Sequence, residues 1–303
     1  MKNIIIVLLV VVLIIFGGYW LIQKSSPVRP IEPVAVVPVP PPIVPPPPPP
    51  APPAASGAET VIGQSVEDRD IVAYRYGNGA KKLLFVGGVH GGYSWNTPLL
   101  AYQLMDYLKA NPTAIPSSVE VTVIPVLNPD GLNQVVGTTA KFTEAQVSAS
   151  SAVKIAGRFN ANKVDLNRNF DCDWQASGKW QTRTVSGGTA AFSEPESLAF
   201  KNYIESASPT AVVVWYSSAP GVFSSSCHEA VLPETTVLTN EYATAAGYPA
   251  YKTFDFYKIT GDLVNWLAKN QIPAISVLLA SHDDVEWDKN LAGIKAIFAH
   301  YAN

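Results

Sequence analysis

Cysteine is nearly missing from this 303-residue chain, with Cys172 and Cys227 the only two. They permit one disulfide and exclude a cysteine-rich zinc site. In a cytosolic protein two buried free thiols would be the favoured reading, so the compartment decides between the two. Charge is also sparse, at 15% of residues, against roughly 25% for an ordinary globular domain. No excess of positive charge exists. The net charge is −3, and beyond residue 57 the chain holds 18 basic and 23 acidic side chains. Without a basic face to release counterions, a nucleic-acid partner is excluded. No glycine period and no long heptad run occur, which excludes collagen and coiled coil.

What the N-terminus has instead is apolar and proline-rich. Residues 4–22 form an uncharged run of 19, close to the ~20 residues a helix needs to cross a bilayer. A signal-peptide core is shorter, ~7–15 residues, and ends at a small-residue cleavage site. No Ala-x-Ala pattern follows here, no lipoprotein cysteine follows either, and Tyr19 and Trp20 suit an interfacial belt. Residues 1–26 are therefore expected to be a transmembrane signal anchor, with the membrane contacted through residues 4–22. Flanking charge leaves its orientation open. Residues 27–53 carry 15 of the 26 prolines, six of them consecutive. This segment reads as an extended polyproline spacer, residues 27–57, of ~3.1 Å per residue. Residues 58–303 remain as one domain, expected outside the cytoplasm on a single-pass anchor.

From residue 58 the pattern alternates. Residues 81–89 (KKLLFVGGV), 119–127 (VEVTVIPVL), 211–216 (AVVVWY) and 274–280 (AISVLLA) read as buried strands. Residues 97–109, 194–207 and 286–301 read as helices, and Thr260 is expected to cap another running to Lys269. A Ser/Thr/Ala/Gly-rich stretch, residues 131–157, reads mostly as loop. Continuous apolar strands separated by helices imply an α/β domain of three layers: a mixed, mostly parallel sheet covered by helices on both faces. Ligands of such sheets sit beyond the carboxyl ends of the strands. There His90, Asn128-Pro129-Asp130-Gly131 and Tyr216-Ser217-Ser218 should converge.

The stretches VGGVHGG, IPVLNPDG, GRFNANKVDLNRNFDCDW, SGGTAAFSEPES and YKITGDLVNWL resemble the zinc carboxypeptidase (funnelin) family, in that family's order. The resemblance implies a zinc-carboxypeptidase-like fold. It also implies a zinc ion held by two histidines and a glutamate, a glutamate as general base, arginines and an asparagine for the peptide's terminal carboxylate, and a tyrosine closing over the substrate.

The residues divide sharply against that expectation. His90 matches the first zinc ligand. The glutamate expected just after it is absent, since Tyr93 and Ser94 stand there. The second histidine position is Tyr216, and the general-base position is Leu278. No catalytic residue is therefore expected, and His90 is left as a vestigial ligand. The substrate-holding positions match: Arg158 the carbonyl-polarising arginine, Asn167 and Arg168 the carboxylate pair, Tyr257 the mobile tyrosine, Val264 the specificity pocket. Arg158 and Arg168 could instead simply pair with Asp165 or Asp171. His228 and His282 could rebuild a metal site with His90, but His282, beside Asp283 and Asp284, is expected in a solvated loop. Cys172 and Cys227 flank the implied site, and with an export anchor they are expected to form a disulfide.

Three readings stay open. One is a pseudoenzyme, without cofactor, that binds the free carboxylate of a peptide or peptidoglycan stem peptide. The second is an active zinc metallocarboxypeptidase with an unorthodox site. The third is a structural scaffold with a vestigial pocket.

Overall fold

The computed structural model describes residues 58–302; the expected anchor and the proline-rich linker lie outside them. Among the described residues no helix is long and apolar enough to cross a membrane. In chain order the strands are β1 (Ala58–Gln64), β2 (Asp70–Gly77), β3 (Lys81–Val86), β4 (Val119–Ile124), β5 (Ser177–Trp180), β6 (Arg183–Ser186), β7 (Ala211–Ser217), β8 (Gly221–Ser224), β9 (Ala250–Tyr251) and β10 (Ala274–Leu279). The α-helices are α1 (Asn96–Ala110), α2 (Pro129–Val136), α3 (Ser151–Ala156), α4 (Pro195–Ala207), α5 (Pro233–Ala246), α6 (Leu263–Lys269) and α7 (Trp287–His300).

Eight strands form one sheet, ordered β1-β2-β4-β3-β7-β10-β8-β9, and β5 pairs with β6 in a separate hairpin. The central pairs β4–β3, β3–β7 and β7–β10 are parallel. The joints β1–β2, β2–β4 and β10–β8 are antiparallel, so the sheet is mixed around a parallel centre.

The central strands are apolar over most of their length because both faces are covered. The exceptions include Lys81 and Lys82 at the start of β3, Glu120 and Thr122 in β4, and Ser276 in β10. Side chains alternate across a strand, and here each alternate set enters a different core. Leu83, Phe85, Val213, Trp215, Ile275 and Val277 pack with α1, α5 and α7. Leu84, Val86, Val212, Val214, Tyr216 and Leu278 pack with α4 and α6.

Two expectations are corrected. The stretch 131–157 is not mostly loop. α2 begins just before it, with the Asn128 side chain accepting from Gly131 N at 2.9 Å, and ends on Gly137 at φ +77°. Ser150 caps α3 in the same way. Side-chain caps and a left-handed glycine terminate helices without needing a strong apolar stripe. The cap of α6 is Asp262 rather than Thr260: its carboxylate accepts from Asn265 N at 3.0 Å.

Candidate functional site

The parallel register brings the diagnostic positions together. Leu278 of β10 lies directly opposite Tyr216 of β7, and both side chains join the α6-side core. His90 sits beyond β3, which pairs with β7 on its other side. Its turn requires glycine next to it: Gly91 has φ +46°, and a Cβ there would meet Gly157 O at 2.6 Å. Around these strand ends opens a cavity of about 790 Å³. Arg158, Asn167, Arg168, Tyr257 and Val264 all line it, so every substrate-holding position read from the sequence arrives at one place.

The metal positions do not fit zinc. His90 is 6% exposed, and neither ring nitrogen has a hydrogen-bond partner. Its Nε2 lies 3.6 Å from Asp165 Oδ1. Burial, aided by the charge of Arg158, pushes its pKa down to about 4. Ser94 is buried with an unpartnered hydroxyl and does not line the cavity. Tyr93 lies edge-on to Trp180, ring centroids 5.0 Å apart. The Tyr216 hydroxyl donates to Asn167 Oδ1 at 3.1 Å. Burial, then the nearby Asp262 charge, raises its pKa well above the ordinary value, so it stays neutral. Leu278 offers no donor. Among the described residues no three His, Cys, Asp or Glu side chains are grouped to hold a metal ion. A catalytic zinc needs three protein ligands plus water, and the family's ligand positions supply one imidazole here. His228 does not contribute: it is surface-exposed and pairs with Asp173 at 2.8 Å.

The two arginines differ. Arg158 Nε and Nη2 contact Asp165 Oδ2 at 2.9 and 2.8 Å, and its guanidinium lies 4.4 Å from the Trp180 ring centroid. Burial would raise the Asp165 carboxyl, but Arg158 and then His90 overrule it and hold it well below the usual carboxylate range. Arg158 is therefore a neutralised cation, as one of the two possibilities for it anticipated. Arg168 is 1% exposed, yet no carboxylate lies within ion-pair distance of it among the described residues. It donates to carbonyl oxygens only: Nε and Nη2 to Lys179 O at 3.0 and 2.6 Å, and Nη1 to Asn167 O at 2.6 Å. Two of its five N–H groups are left over. Asp171, its other possible partner, pairs with Lys269 instead. Gly261, at φ +64°, makes room for this strand of chain: a Cβ there would meet Arg168 O at 2.2 Å.

Asn167 is largely committed. Its Oδ1 accepts from Tyr216 and from Leu263 N, both at 3.1 Å, and its Nδ2 donates to Asp262 Oδ2 at 2.8 Å. Burial raises the Asp262 carboxyl despite its hydrogen bond from Asn265 N. Sequence reasoning missed Asp262 as a cavity residue, and missed Trp180 and the Lys179 carbonyl on the β5–β6 hairpin. That hairpin carries only a weak alternating signal, in SGKW and RTVS. His282 is also corrected: it lines the cavity, with its ring 4.4 Å from that of Tyr93. The SEPE carboxylates stay outside. Glu194 and Glu196 accept from Asn160 at 2.8 and 3.1 Å, and burial raises Glu196 to about 7.

Cys172 and Cys227 form the expected disulfide, with Cα atoms 6.0 Å apart. It ties the segment after Arg168 to the loop beyond β8.

The zinc carboxypeptidase family model matches residues 57–276. The chain belongs to the zinc carboxypeptidase family. Among curated proteins it is 24% identical over 217 residues to a gamma-D-glutamyl-L-diamino acid endopeptidase of Lysinibacillus sphaericus, covering 65% of this chain and 54% of that protein. It is 26% identical over 158 residues to carboxypeptidase D of Drosophila melanogaster, covering 48% of this chain and 10% of that one. The chain thus spans about half the length of the first relative and far less of the second. Bovine thrombin-activatable fibrinolysis inhibitor, solved with a tick carboxypeptidase inhibitor, superposes with a TM-score of 0.62 at 14% identity over 80% of this chain and 90% of that one. The murein-tripeptide amidase MpaA of Escherichia coli O157 gives 0.56 at 20% identity over 80% and 92%. These structural likenesses establish the zinc-carboxypeptidase-like α/β fold.

Proposed function

We propose that this member of the zinc carboxypeptidase family binds peptides by their free C-terminal carboxylate without zinc hydrolysis, as an extracytoplasmic domain, residues 58–303, tethered through residues 4–22 and the polyproline spacer. Arg168 carries the reading. A buried cation is expensive unless an anion compensates it. Arg168 lines a peptide-sized cavity with no carboxylate at ion-pair distance among the described residues, its nearby acid Asp262 being taken by Asn167. A guanidinium offers directed, charge-assisted donors to a carboxylate. Asn167 adds at most its second amide hydrogen, Tyr257 stands 6.0 Å from the Arg168 guanidinium carbon, and Val264 suits an uncharged side chain. The names of a gamma-D-glutamyl-L-diamino acid endopeptidase and a murein-tripeptide amidase among the similar proteins make a peptidoglycan stem peptide the first ligand to try.

Calorimetry on the full-length chain, with stem-peptide fragments as free acids and as C-terminal amides, tests this. The acid should bind and the amide should bind at least ~30-fold more weakly. Equal binding of the two would overturn the reading. The unpartnered nitrogens of His90 favour a second reading, an unorthodox metal centre. One zinc per purified chain with chelator-sensitive release of C-terminal residues would establish it.

A further inference from the structure

A hydrogen-bond relay beside the cavity ends on His282. Asn96, the first residue of α1, is fully buried. Its Nδ2 donates to the carbonyl oxygens of Ser281 and Asp284, both at 2.8 Å. Both amide hydrogens are thereby used, so Oδ1 faces the other way and accepts. The donor within reach is Ser217 Oγ, at 3.0 Å. A serine hydroxyl has one hydrogen to give. With that hydrogen on Asn96, Ser217 Oγ accepts at its second contact, His282 Nδ1, 2.8 Å away. The imidazole proton therefore sits on Nδ1, since the partner of one ring nitrogen sets the state of the other. Nε2 is left with a bare lone pair and no hydrogen-bond partner among the described residues. The ring lines the same cavity as Arg168.

We infer that His282 Nε2 is a built-in acceptor, aimed by the Asn96–Ser217 relay, that takes the amide N–H of the C-terminal residue of a bound peptide. The inference rests on the peptide-binding reading and gives it a second point of contact. A peptide C-terminus offers carboxylate oxygens, suited to Arg168, and an amide N–H, suited to a neutral acceptor. The same relay disqualifies Ser217 as a nucleophile: its hydrogen points at an amide oxygen, which is no base. Asn96 and Ser217 are positioning residues, acting on ligand only through His282.

Two measurements on the full-length chain in detergent test this. The first is nitrogen NMR on histidine-labelled protein. The chain has four histidines, and His282→Gln identifies the signal. We expect the Nδ1–H tautomer, and a shift toward Nε2–H in Ser217→Ala. An Nε2–H tautomer in the wild type overturns the relay. The second is calorimetry with an acid peptide and its depsipeptide, in which an ester oxygen replaces the last N–H. The ester should bind about tenfold more weakly to the wild type, with no further loss in His282→Leu. If the acid peptide binds and the ester binds equally well, the inference falls and the carboxylate reading stands. If no peptide binds the wild type, both fall.

Discussion

Arg158 and Arg168 lie ten positions apart, are both nearly fully buried, and line one cavity. What surrounds them differs. Asp165 answers Arg158 with two close contacts, so that side of the cleft is electrically closed. Arg168 donates its hydrogen bonds only to the carbonyl oxygens of Lys179 and Asn167, and it influences Asp262 without touching it, which is why the proposed carboxylate site is placed on this side. Matching a family position is therefore not enough to make a residue available to ligand. Availability depends on whether the protein has already spent the group's charge and donors internally.

The largest expected effect breaks the closed side. Arg158→Ala leaves Asp165 buried without its cation and should cost about 3–5 kcal/mol of folding stability, read by urea unfolding. An unchanged midpoint would mean that the pair is not the anchor described. On the open side, the disulfide secures the chain just past Arg168. Closing a separation of 55 residues is worth about 4 kcal/mol by chain entropy, so Cys172→Ser should lower stability by close to that amount. Alkylation of both thiols in unreduced protein would contradict the bond.

Acid separates the two sides through His90. Its folded pKa of about 4 lies below the ~6.5 of an unfolded imidazole. Between those values the unfolded chain takes up a proton that the folded chain refuses. Stability should therefore fall as pH drops from ~6.5 to about 4, by roughly 3 kcal/mol. His90→Leu should flatten that part of the profile, and an equal slope in the variant would count against a buried neutral imidazole. The smallest effect in energy is the most informative about function. Arg168→Ala should weaken an acid peptide about 30-fold, equivalent to ~2 kcal/mol, while Arg158→Ala protein that remains folded keeps its preference for acid over amide. Loss of that preference only in the Arg158 variant would reverse the comparison.

Much of the architecture is legible in the residues. AVVVWY is apolar at every position and AISVLLA at every position but Ser276, as two covered faces favour, and they become β7 and β10 near the sheet's centre. The edge hairpin β1–β2 and helix α5 were not anticipated. β1 is half exposed, with Val61 at 54%, and α5 shows only a faint stripe, so local pattern says little about either. The helices within 131–157 escaped because their composition resembles a loop. Their caps, Asn128 and Ser150, were visible as residue types but not as geometry.

The sequence alone determined that the strand ends at His90 and Tyr216 would meet, because parallel strands present their carboxyl ends on one edge. Asn167 and Arg168 were placed there only by family resemblance. Asn128–Gly131, expected at the same place, does not line the cavity, since Asn128 caps α2 and Asp130 accepts from Ser65 and Arg69 instead. The sequence also determined that three positions at these strand ends carry Tyr93 or Ser94, Tyr216 and Leu278, whose side chains cannot serve as the expected carboxylates and imidazole. Tertiary structure alone decided which arginine is neutralised, that Asp262 takes the amide of Asn167, and that Asn96 and Ser217 aim His282 into the cleft. Asn96 and His282 are 186 positions apart, and hydrogen bonds form wherever folding places donor and acceptor within about 3 Å, a proximity that no local pattern encodes.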